Sequence, residues 1–174
     1  MSNRLLATRV ASVGRGYCVY AMNYGIAAPL AGGGVGPVLP GRFGTGDITK
    51  SAAQIGGFVD KVRAATGSEK VNMVGHSQGG VVARQFIRYN NGASKVDHLV
   101  TLGATNNGTT LIGIGALGRT INNLGIDVLG PVALLVGSSG IQQVYDSEFI
   151  KHLNAGGKYA IGDVQYTILG TRYD

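Results

Sequence analysis

The run Gly75-His76-Ser77-Gln78-Gly79-Gly80 constrains this chain more than any other stretch. The apolar Val71-Asn72-Met73-Val74 precedes it, and the helix-like Val81 to Ile87 follows. That context predicts a strand, a sharp turn and a helix, with Ser77 at the bend. Such a turn is strained and crowded. Side chains at positions 75 and 79 are expected to collide with the neighbouring strand and helix, and only glycine adopts such backbone angles cheaply. The chain holds 30 glycines in 174 residues, so the bare pattern is weak and its flanks give it weight. A glycine-rich turn with an ordinary serine is the alternative.

A chain of 174 residues buries a sizeable core and is most simply one domain. Its 44% hydrophobic and 14% charged residues describe a globular protein. The net charge of +6 comes from scattered basic residues without interleaved aromatics, which reads as a solvated surface and not a nucleic-acid partner. Cys18 is the single cysteine, so no internal disulfide forms; it is expected as a small apolar residue in a buried strand. Met1-Ser2-Asn3-Arg4 leads into a helix-like stretch, so no signal peptide is expected. The apolar segment from Ile126 to Val136 is broken by Gly130-Pro131 and is too short to span a bilayer.

Along the chain, Arg4 to Ser12 has helical spacing, with Leu5, Leu6 and Val10 on one side. Tyr17 to Met22 reads as a buried strand, and Tyr24 to Gly46 as a long loop of the functional kind. Asp47 is the predicted cap of a helix carrying Ile48, Ala52, Ile55, Val59 and Val62 and closing at Gly67. Lys70 to Val74 is the next strand. The helix after Ser77 runs to about Tyr89, and Val96 to Leu102 is a further strand. Tyr145 to Leu153 is a short helix stopped by Asn154-Ala155-Gly156-Gly157, and Val164 to Thr171 is a last strand leading to Asp174. Alternation of this kind gives an α/β protein: a mostly parallel sheet with helices on both faces and reactive groups at the carboxyl ends of the strands. In such a sheet, G-x-S-x-G at a strand-to-helix turn is the nucleophile elbow of the α/β-hydrolase fold.

A serine hydroxyl needs a base, an acid to orient that base, and donors aimed at the developing oxyanion. Ser77 is the candidate nucleophile, and the backbone N–H of Gln78 is the candidate oxyanion donor. Asp174 is the candidate acid, with an ordinary loop-start aspartate as its alternative. The three histidines are poor candidates for the base. His76 adjoins Ser77 and points away, His98 begins its strand at the far end of the sheet, and His152 sits on a surface helix. The first helix begins almost at Met1, which leaves no loop for a second oxyanion donor. The chain therefore reads as a single, truncated domain over 1–174, lacking the opening strands and a His-bearing C-terminal segment. Its sheet edge at Tyr17 to Met22 is expected to be exposed and to favour self-association.

Five stretches resemble the secreted triacylglycerol lipases and esterases of actinobacteria (lipase class 2). They are Gly16 to Gly25, Gly44 to Ile48, Val74 to Gly80, Asn107 to Leu111, and Thr171 to Asp174. The resemblance implies Ser77 as nucleophile, Asp174 as triad acid and an extracellular setting; no cofactor is expected. Between 105 and 162 lies an apolar insert, which is either a cap over Ser77 or a set of helices packed on the core. Gly113-Ile114-Gly115-Ala116-Leu117-Gly118 has dinucleotide spacing, but it follows a loop, and no acidic residue stands about 20 positions on. No His/Cys/Asp/Glu cluster has metal-ligand spacing. The function expected is serine carboxylic-ester hydrolysis of apolar acyl esters or lipids through an acyl-enzyme. The alternatives are a catalytically impaired hydrolase or apolar-ligand binder lacking the triad histidine, or a transferase using the same acyl-enzyme.

Overall fold

The computed structural model describes residues 16–26, 43–110, 137–157 and 159–170. Helix α1, Ile48–Thr66, starts where the Asp47 carboxylate accepts the Lys50 N–H at 2.9 Å and ends at Gly67, whose φ of 70° lets its N–H reach the Arg63 carbonyl. Ile48, Ala52, Ile55 and Val59 recur at helical spacing and form its buried stripe. Strand β1, Val71–His76, leads through Ser77 into α2, Gln78–Tyr89. Strand β2 covers Val96–Leu102, helix α3 covers Glu148–Leu153 and strand β3 covers Gln165–Leu169.

The three strands are parallel in the order β1-β2-β3, with His76, Leu102 and Leu169 level at their carboxyl ends. Parallel strands joined through helices are the α/β arrangement that the alternation predicts. Val71, Met73, Leu99 and Tyr166 pack toward α1, α2 and α3 in one apolar cluster centred on the fully buried Phe86. Gly56 permits this approach, since a Cβ there would stand 3.1 Å from the Phe86 ring. Helix α2 is buried at every position from Gly80 to Ile87, which sets Ser77 firmly against the sheet.

Two elements differ from expectation. Tyr17 to Met22 forms no strand, and Tyr17 and Cys18 are exposed. A strand exists only through its partner. Here a groove of about 680 Å³, lined by Tyr17, Met22, Val59, Val62 and Met73, separates this segment from β1. The sheet edges among the described residues are accordingly β1 and β3, not Tyr17 to Met22. The short helix begins at Glu148 and not Tyr145, because the Ser147 hydroxyl caps it by accepting the Ile150 N–H at 3.1 Å. The Tyr145 N–H is engaged elsewhere, donating to the Thr109 carbonyl at 3.1 Å. Helices α1, α2 and α3 contribute to the one apolar cluster around Phe86. The expected helix at Arg4 to Ser12, the apolar segment from Ile126 to Val136, the 113–118 glycine run and Asp174 lie outside the described residues.

Candidate active site

Ser77 sits at φ 52°, ψ −125°, a region that a side-chain-bearing residue occupies only when its surroundings dictate it. Both of its backbone groups are engaged. Its N–H donates to the Leu102 carbonyl at 2.9 Å, and its carbonyl accepts the Gly80 N–H at 3.1 Å. The serine therefore stands at the carboxyl ends of β1 and β2, half-buried, and its hydroxyl makes no hydrogen bond among the described residues.

The glycines divide differently from expectation. A Cβ on Gly75 would stand 2.6 Å from the Gly79 carbonyl carbon and the Gly80 nitrogen, so position 75 is closed to any side chain. A Cβ on Gly79 would meet only the Tyr24 hydroxyl, at 3.7 Å, which is ordinary contact. The second crowded position is Gly80, where a Cβ would lie 2.6 Å from that of Ala104 and 3.1 Å from Thr101 Cγ2. The helix turns its 80 face, not its 79 face, toward β2.

Gln78 is the first residue of α2. Its N–H is one of the donors that a helix start leaves unpaired, and it makes no hydrogen bond among the described residues. Its side chain is fixed: Nε2 donates to the Gly44 carbonyl at 2.9 Å. That carbonyl also accepts the Ser139 hydroxyl at 2.6 Å. The Gly44 loop is held in turn by Tyr24 and Gly25, whose carbonyls accept the Gly44 and Gly46 N–H groups at 2.8 Å each. Burial raises the pKa of the Tyr24 phenol, so Tyr24 is a neutral wall of the site at neutral pH. Ser139 is not legible in the sequence, because a serine in a helical stretch gives no signal of its own.

None of the three histidines is brought to the Ser77 hydroxyl. Gly75 faces α2, so by strand alternation the exposed His76 leaves the opposite face. The His98 Nε2 pairs with Thr167 Oγ1 at 2.8 Å, roughly 16 Å along the sheet from Ser77 at a strand rise of about 3.3 Å per residue. His152 stacks on Tyr89 at 4.6 Å, at the far end of α2. No group of three or more potential metal ligands and no helix long and apolar enough to cross a membrane occurs among the described residues.

Arg84, two turns into α2, is buried and held by neutral groups. It donates to the Asn106 carbonyl at 3.2 Å and to Asn154 Oδ1 at 2.8 Å, with the Tyr159 ring 4.6 Å from its guanidinium carbon. Desolvation lowers its pKa, but a guanidinium stays charged at neutral pH. This network pins the loop after β2 to α2 and keeps Ala104 against Gly80. A free, half-buried hydroxyl beside an unpaired helix-start N–H is an arrangement able to attack a carbonyl and hold the negative charge that develops on its oxygen.

A family model described as palmitoyl protein thioesterase matches residues 44–157, from the Gly44 loop through Ser77 to just past α3. The fold is similar to that in the crystal structure of Bacillus licheniformis lipase BlEst2 in mature form, with a TM-score of 0.53 and 16% identity. That match covers 70% of this chain and 47% of the lipase, so the chain spans about half of the lipase's length. The likeness is one of fold: a parallel sheet flanked by helices, of the α/β-hydrolase kind.

Proposed function

The chain belongs to the palmitoyl protein thioesterase family, a lipase- and esterase-like α/β-hydrolase family, and from that premise we propose that it is a serine hydrolase of apolar acyl esters. The observation that carries the reading is the positive φ of Ser77 on the turn between β1 and α2. Ser77 Oγ attacks the acyl carbonyl carbon, and the carbonyl oxygen gathers negative charge opposite the Gln78 N–H. Collapse of the tetrahedral intermediate expels the alcohol or thiol and leaves an acyl-Ser77 ester, which water then hydrolyses. Asp174 orients the histidine that accepts the serine proton. The reading takes that histidine from outside the three in this sequence, since His98 and His152 stand far from Ser77 and His76 faces away. We take the insert 105–162 as contributing an acyl-facing wall, apart from Ile150 and Leu153, which pack in the core, and an extracellular setting as what the resemblance to secreted lipases implies.

A fluorophosphonate probe is expected to label Ser77. Ser77→Ala is expected to abolish both the labelling and the turnover of p-nitrophenyl esters. Turnover that survives Ser77→Ala sinks the assignment. The matched family's description favours a second leaving group, a thiol. A palmitoyl thioester hydrolysed faster than the oxygen ester of the same acid supports that choice, and the reverse ranking returns it to oxygen esters.

A further inference from the structure

The Gly44 carbonyl receives two side-chain donors, Gln78 Nε2 at 2.9 Å and the Ser139 hydroxyl at 2.6 Å. A carbonyl oxygen has two acceptor sites, so both are filled. The Ser139 end is rigidly mounted. Ser139 is buried, and its N–H donates to the Thr45 carbonyl at 3.4 Å. Three residues on, the Gln142 amide accepts the Ile48 N–H at 2.8 Å and donates to Asp47 Oδ2 at 2.6 Å, which locks the stretch to the start of α1. Gln143 ties the same stretch to the loop after β2, its Oε1 accepting the Thr105 hydroxyl at 2.9 Å. The Gln78 end is the first residue after a strained serine. The peptide between 77 and 78 is the one that would rotate if the strain at Ser77 relaxed, and its N–H would turn with it. Strain of this kind persists only when neighbours over-determine it.

We propose that Ser139 is a positioning residue for the oxyanion: with the Gln78 side chain it clamps the Gly44 carbonyl and so fixes the direction of the Gln78 N–H. The inference rests on the hydrolase reading above and adds to it a residue 62 positions downstream of the nucleophile. A purely structural serine would affect how many molecules fold. A positioning serine affects how fast each folded site turns over.

The test measures p-nitrophenyl butyrate turnover per site, with sites counted by fluorophosphonate labelling, alongside amide NMR of the same full chain. Ser139→Ala is expected to lower kcat per labelled site about tenfold, with KM little changed, and Ser139→Thr to restore it. Gln78→Met, which keeps the backbone donor and loses the side-chain one, is expected to do the same. The double variant should fall little below the worse single, because both act through one carbonyl. In the NMR spectrum of Ser139→Ala the Gln78 N–H should shift while those of Leu99 and Val100 hold. A wild-type rate per labelled site, or an unmoved Gln78 N–H where turnover is too slow to measure, overturns the clamp. Should Ser139→Ala not fold, Ser139→Cys, with its weaker donor, answers the same question. Turnover surviving Ser77→Ala defeats the hydrolase reading instead, so the two failures are distinguishable.

Discussion

At the scale of single residues, the environment of Ser77 ranks its three neighbouring glycines. Gly75 faces backbone atoms at 2.6 Å, which cannot move without breaking the turn. Gly80 faces the Ala104 Cβ at the same distance, on a loop that Arg84 holds down through Asn106. Gly75→Ala and Gly80→Ala are therefore expected to destabilise the fold by about 1–3 kcal/mol or more, the usual cost of forcing atoms into a closed space. Gly79→Ala meets nothing closer than 3.7 Å and gains helix propensity, so its urea midpoint should match or exceed that of the parent. Equal losses at all three positions would contradict the ranking. The motif made the bend and the serine legible from the sequence, because G-x-S-x-G between a strand and a helix has few other uses. It did not reveal which flanking glycine is crowded. That depends on the rotation of α2 about its axis, which Thr101 and Ala104 set from a different part of the chain.

At the scale of elements, the start of α1 is where distant segments meet. Asp47 Oδ1 caps the helix through the Lys50 N–H, and Oδ2 accepts the Gln142 amide, whose oxygen in turn takes the Ile48 N–H. Asp47→Ala removes the cap and strands the Gln142 amide, with an expected cost of about 1–2 kcal/mol. Circular-dichroism melts of Asp47→Ala, Gln142→Ala and the double variant check it. The two losses should be less than additive, and strict additivity would deny the shared network. Helix α1 was legible because a helix carries its own signals: the Asp47 cap, the apolar spacing from Ile48 to Val59, and Gly67 at the end. Strand β2 was legible from its bounding turns. Tyr17 to Met22 was not, since its composition suits a strand but the pairing that makes one is set by chain outside the segment. The start of α3 also escaped, because Tyr145 is drawn into a backbone pair with Thr109 that no local pattern announces.

At the scale of the whole molecule, the described sheet has two edges, β1 and β3, and the β1 edge beside the groove is the one expected to bring a second chain into register. Strand β1 is hydrogen-bonded on one side to β2, and its other side faces the groove shared with Tyr17 and Met22. Val74, on the face away from α2, is 40% exposed, and no ionised side chain occurs between Val71 and His76 to discourage pairing. An apolar strand edge of this kind is a template for a second chain. The net charge of +6 opposes association only weakly at physiological salt, where charges are screened beyond about 8 Å. The short-range gain from pairing edges should therefore prevail, and light scattering on the purified chain should report dimers or larger species. Asn72→Lys with Val74→Lys places two charges beside the groove, outside the apolar cluster around Phe86. It should shift the population toward monomer while leaving the melting transition within a few degrees. A monodisperse monomer for the parent chain would contradict this and would show that the groove is closed in solution by Tyr17 to Met22, the strand-like segment beside it.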